Sequence, residues 1–189
     1  EDRLGPWVFE NGKLSETPAP QALGAFRARD VSIKGANAVD PNGNIGVLAA
    51  DGGGGTVGGI WGTLTARGAH WVAPVSLERL VPDVIEAARE CGNHLWDLTM
   101  GQSAGLMPVV NAQVVTEIEA IAILSGVKAT HVASGGVSGS EGAVMLSLTG
   151  EEADVRAAFE MLEGIKGEEQ FESPRLIPYI REPETAPSA

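Results

Sequence analysis

The chain has 189 residues, 43% hydrophobic and 20% charged, which is an ordinary globular composition and enough for one large or two small domains with a real core. Its formal net charge of −12 excludes a duplex nucleic-acid binder that relies on clustered Lys and Arg, and disfavours attraction to an anionic membrane surface. The one cysteine, Cys91, rules out an intrachain disulfide and fits a cytoplasmic, reducing setting, while no apolar run reaches the roughly 18 residues of a membrane span.

In chain order, Trp7 to Leu14 reads as a hairpin, with Asn11-Gly12 supplying the residues of a tight type I′ turn. Pro18 and Pro20 interrupt regular structure, and Gln21 to Arg27 is a candidate short helix. Val31-Ser32-Ile33 is a strand closed by Gly35-Ala36-Asn37. Asp40-Pro41-Asn42-Gly43 is a turn, with proline second and glycine fourth. Ile45 to Ala50 is the next strand. Four consecutive glycines, Gly52 to Gly55, then lead into a helix from Thr56 to Arg67, with Gly68 as its C-cap. Within that helix Gly58, Gly59 and Gly62 each cost about 1 kcal/mol relative to alanine. That expense points to another backbone packed along the face. Trp71 to Val75 is a strand and Leu80 to Glu90 a helix. The alternation predicts an α/β domain with a mostly parallel sheet over residues 1–105.

From residue 106 the rhythm changes. Val109 to Val115 reads as a strand and Thr116 to Leu124 as a helix stopped by Gly126. Ala129 to Ser134 and Ala143 to Leu148 are strands joined by the glycine-serine loop Ser134–Gly142, either a second ligand loop or, the preferred reading, a hairpin connection. Thr149-Gly150-Glu151-Glu152 has the capping-box pattern, and Val155, Ala158, Phe159, Leu162 and Ile165 then recur at helical spacing. Arg175 to Ile180 completes a β-α-β-β-α-β order, the ferredoxin-like α+β arrangement, over residues 106–180. Residues 181–189 read as a disordered tail. The chain begins at Glu1, so a processed product or a fragment without its upstream part is expected.

The glycine run carries the functional expectation. Four glycines bury no side chain and lose the most backbone entropy on folding. A loop that costly at a helix start fits backbone N–H groups that approach an anion. The Gly-Lys-Ser/Thr ending of a P-loop is missing. Candidate ligand-binding residues are therefore Gly53, Gly54, Gly55 and Thr56, with Asp51 beside them and Lys34, Asn37 and Asp40 at strand and turn ends. Thr56 either bonds the anion or caps its own helix. Lys34 either neutralises it or points to solvent, and Asp40 is also a turn residue. Asp51 is the acid best placed for proton transfer. Gly54→Val, or a bulky residue at Gly55, is expected to abolish binding with little loss of fold. His70, His94, His131 and Cys91 show no metal-ligand spacing, no catalytic residue is assigned, and the cofactor is unknown.

Gly35-Ala36-Asn37, Asn42-Gly43, Gly55-Thr56 and Ala73-Pro74 resemble the second half of the ISOCOT superfamily, which includes sugar-phosphate isomerases, CoA transferases and DeoR-type sensors. Asn37 stands where that pattern has an acid, and no lysine sits at the helix start. The resemblance implies a phosphorylated or carboxylated metabolite as ligand, with enzyme status open. Thr116 to Leu162 resembles the bacterial microcompartment shell domain, through Ile118-Glu119-Ala120, a glycine-rich loop and an Ala-containing second helix. That resemblance implies the alternative, an oligomeric structural or regulatory protein, and a homo-oligomer is expected in either case.

Overall fold

A computed structural model describes residues 6–167. Helices and strands are mixed, with one parallel sheet and several antiparallel pairings, a general α/β arrangement. The predicted last strand, Arg175–Ile180, and the 181–189 tail lie outside the described residues.

β1 (Val8–Glu10) and β2 (Lys13–Ser15) form the predicted hairpin, with Asn11 and Gly12 both at positive φ as a type I′ turn requires. The short helix α1 (Ala19–Ala25) follows Pro18. β3 (Val31–Ile33), β4 (Ala38–Val39) and β5 (Ile45–Ala49) precede the longest helix of this half, α2 (Gly55–Arg67). Gly68 ends α2 in the left-handed conformation, returning its N–H to the Leu64 and Thr65 carbonyls. Arg67 then donates to the carbonyls of Leu23, Gly24 and Phe26 at 2.7–3.2 Å, so one guanidinium ties the end of α1 to the end of α2.

β6 (His70–Pro74) pairs in parallel with β3 on one side and with β8 (Gln113–Val115) on the other. The second three-stranded sheet is antiparallel, with β5 between β4 and β7 (Gly105–Val109). This corrects the expectation of a mostly parallel sheet. The Asp40–Gly43 turn is the physical reason, because a turn that short returns the chain antiparallel, whereas parallel neighbours need a crossover of a dozen or more residues. The expected helix from Leu80 is also shorter. Leu77–Arg79 form a 3-10 turn, Leu80 bridges to Val39, and α3 (Val84–Arg89) starts only after Asp83, whose side chain accepts from the Glu86 N–H.

The two sheets and α2 share one core, built on Ile45, Val47, Val57, Leu64, Trp71, Ala73 and Val109. In the parallel sheet, Trp71 and Ala73 turn inward while the register places Val31, Ile33, Val72, Pro74 and Val115 on the opposite face.

The predicted strand Val109–Val115 is in fact the end of β7, a bend, and β8, and both strands pair with elements of residues 1–105. The remaining units are α4 (Glu117–Ser125), β9 (Lys128–Ser134), β10 (Val144–Thr149) and α5 (Glu152–Ile165). β9 and β10 form an antiparallel pair across the 134–142 loop, as expected. A second small core of Ile121, Val127, Ala129 and Ala158 lies between this hairpin and the two helices. α4, not α5, carries a capping box. Thr116 accepts from the Ile118 N–H, and Glu119 reaches back to the Thr116 N–H at 2.8 Å. α5 has Glu151 as its N-cap with no side-chain capping bond, so the Thr149–Glu152 pattern does not act as a capping box.

Candidate functional site

The glycine loop follows directly from β5. Asp51 opens it, and its carboxylate Oδ1 accepts from the N–H of Gly53 at 2.8 Å and of Gly55 at 3.3 Å, while its carbonyl accepts from the Gly54 N–H at 3.0 Å. The chain thus supplies its own anion to two of the amides that the sequence offers to a ligand. Gly54 and Gly55 both have positive φ, +82° and +56°, which L side chains adopt rarely. A Cβ on Gly54 would also overlap the Met107 sulfur, and one on Gly58 would overlap the Gly53 carbonyl oxygen. Gly54→Val is therefore a folding lesion as well, which corrects the expectation that it would spare the fold.

At the start of α2, the N–H groups of Thr56 and Val57 have no hydrogen-bond partner among the described residues, and the exposed Thr56 hydroxyl makes no capping bond. A 13-residue helix directs its positive end here, and its first turn offers unpaired donors.

An open cavity of about 370 Å³ lies against the loop, lined by Asp51 to Gly54 on one side and by Cys91 to Asn93 and Gly105 to Met107 on the other. The far wall is held by short bonds. Asn93 donates its side-chain N–H to the Ala50 carbonyl at 3.3 Å, the Ser103 hydroxyl donates to the Asn93 carbonyl at 2.7 Å, and the Cys91 thiol donates to the Ala104 carbonyl at 3.3 Å. Sequence reading missed this wall. Its residues have no motif, and only Gly92 and Gly105, whose Cα regions pass within van der Waals contact, hinted at close packing.

Of the expected ligand residues, Asp51, Gly53 and Gly54 line this cavity, and Lys34, Asn37, Asp40, Gly55 and Thr56 do not. The Lys34 carbonyl accepts from the Trp71 indole N–H at 3.1 Å, and its ammonium has no acidic partner among the described residues. Asn37 extends the β4–β5 ladder, its side-chain oxygen accepting from the Leu48 N–H at 3.0 Å. Asp40 is 3% exposed and accepts from the N–H groups of Asn42, Asn44 and Val84 and from the Asn44 side chain. Burial pushes its pKa up, but these donors outweigh burial and hold it below the usual aspartate value of 3.8. Asp40 fastens the turn to the start of α3. Glu119 behaves alike: burial raises its pKa, and the Thr116 hydroxyl and N–H bring it below 4.5.

Among the described residues no three His, Cys, Asp or Glu side chains are grouped to hold a metal ion, and no helix is long and apolar enough to cross a membrane. Comparison with protein-family models, curated proteins and solved structures gave no match to this chain.

Proposed function

We propose that the chain binds a small anionic metabolite, phosphorylated or carboxylated, at the mouth of the glycine loop. The observation that carries this reading is the exposed start of α2, where the Thr56 N–H has no partner among the described residues, two residues beyond the glycine backbone that lines an open cavity. The anion docks on the exposed Thr56 N–H and hydroxyl, where hydrogen-bond donors and the helix dipole act together. The free oxygen of Asp51 and the Asn93 side chain face the body of the ligand and suit its hydroxyl groups. Gly53, Gly54 and Gly55 keep the approach clear of side chains rather than donating directly. The ligand class agrees with the ISOCOT-like resemblance. Lys34, Asn37 and Asp40 take no part.

The test is thermal unfolding at low salt against sugar phosphates, nucleotides, acyl-CoAs and dicarboxylates. A ligand at about 100 times its Kd stabilises by roughly 2.7 kcal/mol, which raises the midpoint by about 2–4 °C for a chain this size. Thr56→Asp is the informative variant. A carboxylate in the first turn favours the helix by about 0.3–1 kcal/mol and repels an incoming anion. The expected result is a shift confined to anionic compounds and lost in Thr56→Asp, whose own midpoint is not lowered. Equal shifts in wild type and variant overturn the reading.

One observation favours a second reading, that the chain works as a subunit of a homo-oligomer. Among the described residues nothing packs over Ile33, which is 72% exposed, or Val31, at 48%, on the outer face of β3–β6–β8. Parallel sheets are normally covered on both faces.

A further inference from the structure

β9 carries an irregularity that brings two reactive side chains together. Its register pairs Ala129 with Leu148 and His131 with Leu146, then Ala133 with Met145 and Ser134 with Val144, so Val132 is the extra residue of a β-bulge. Residues three apart on a regular strand point to opposite faces. The bulge turns Ser134 back to the face of His131, and the Ser134 hydroxyl lies 2.7 Å from the His131 Nε2. With the ring proton on Nδ1, the hydroxyl donates to Nε2, which is the arrangement of a serine nucleophile and its base. Ser134 is exposed and His131 half-buried, so the hydroxyl is open to a reactant. Val144 and Leu146, their half-buried partners in the register, put apolar surface beside the pair. The Gly135 N–H closes the hairpin on the Ala143 carbonyl at 2.8 Å, and the exposed N–H groups of Gly136 and Val137 have no partner among the described residues. None of these residues lines the cavity beside the glycine loop.

We propose that Ser134 and His131 are a nucleophile and base that hydrolyse small carboxylic esters, an activity separate from anion binding at the glycine loop. The Ser134 Oγ bonds to the ester carbonyl carbon as its proton passes to the His131 Nε2. The carbon–oxygen bond to the alcohol then breaks, and the departing alkoxide takes that proton. Water next attacks the acylated serine and gives a proton to Nε2. The serine oxygen leaves with that proton as the carboxylic acid is released. The carbonyl oxygen gains negative charge in both steps, and Gly136 and Val137 supply the first unpartnered backbone donors after Ser134 to meet it. No acid bonds the His131 Nδ1 among the described residues, so the arrangement is a pair rather than a triad. An acyl group of few carbons suits the site, because Val144 and Leu146 offer it a small apolar surface. Ser138 and Ser140 lie in the same loop, equally exposed and without a histidine partner. They are the built-in reference for what an ordinary serine does there.

The test uses the full chain, with para-nitrophenyl acetate as substrate and diisopropyl fluorophosphate as covalent probe. Attack by Ser134 on the probe forms an oxygen–phosphorus bond, expels fluoride and leaves a stable adduct that peptide mass spectrometry locates. The expected result is an adduct on Ser134 while Ser138 and Ser140 stay unmodified. That comparison is made within the wild type, so it does not depend on any variant folding. Ester hydrolysis is expected to fall to the buffer rate in Ser134→Ala. In His131→Gln the labelling of Ser134 is expected to slow by about 100-fold, because the amide still bonds the hydroxyl but does not take its proton. Equal labelling of the three serines overturns the proposal, as does no labelling at all. Unchanged hydrolysis in Ser134→Ala assigns the reaction to another group and overturns it too. An unchanged labelling rate in His131→Gln removes the base and with it the pair.

Discussion

At the scale of single residues, Asp40 carries more of the fold than its place in a turn suggested. The sequence showed an aspartate before a proline, and the turn it forms was legible from that alone. The Val84 N–H was not, because it arrives from 44 residues away and leaves no local trace. Removing the carboxylate strands three backbone donors and one side-chain donor in a nearly closed site, so Asp40→Ala is expected to destabilise by about 2–4 kcal/mol in urea unfolding. The pH dependence has a definite sign. The folded pKa is depressed, so the contribution of Asp40 is complete above the unfolded value of about 3.8 and is lost as pH falls through the folded value. An acid titration of stability should therefore fall below about pH 4 in the wild type and less steeply in Asp40→Asn. A variant as steep as the wild type would remove Asp40 from the cause. The candidate site was legible to a similar, partial degree. The glycine loop and Thr56 were visible in the sequence, whereas Asp51 reads as an acid for chemistry and is found capping its own loop, since side-chain direction is not written in spacing.

At the scale of elements, α2 separates glycines that packing requires from glycines that it does not. Gly58 sits where a Cβ would overlap the Gly53 carbonyl oxygen, while Gly59 and Gly62 have no atom within 4 Å of that position. The same substitution should then change sign along one helix. Gly58→Ala is expected to cost about 1–3 kcal/mol by overpacking, against a propensity gain of about 1 kcal/mol that cannot offset it. Gly59→Ala and Gly62→Ala are expected to stabilise by up to about 1 kcal/mol each. Guanidinium midpoints for the three variants decide this, and destabilisation by Gly59→Ala or Gly62→Ala would show that something covers this face in solution. The helix itself was legible, from Thr56 to the Gly68 cap, because its limits are set by local chemistry. The partition of 105–115 into β7 and β8 was not. Both strands are short apolar runs, and their partners β5 and β6 lie in another part of the chain, so periodicity alone reads them as a single strand of the following unit.

At the scale of the molecule, the issue is how a chain of net charge −12 tolerates an apolar sheet face that none of the described residues covers. Two copies repel over most of their surfaces, and repulsion is weakest where no acid is present. The outer face of β3–β6–β8 meets that condition. Val31, Ile33, Val72, Pro74 and Val115 share it with His70 and Gln113, without an aspartate or glutamate. Two such faces stacked about 10 Å apart would bury both apolar surfaces in a two-fold arrangement, the commonest symmetry of soluble oligomers. Association through this face should strengthen with salt, because screening removes the long-range repulsion and leaves the apolar contact intact. Ile33→Lys tests the idea cleanly. Ile33 is largely exposed in the single chain, so lysine there should change the stability of one copy by no more than about 0.5 kcal/mol. In a stacked pair it buries two unpaired charges. Light scattering is expected to give a dimer mass for the wild type, more fully at high salt, and a monomer mass for Ile33→Lys at every salt concentration. A wild type that stays monomeric across that range would show that copies of this chain do not cover the sheet, and a variant that keeps the dimer mass would place the interface on another face.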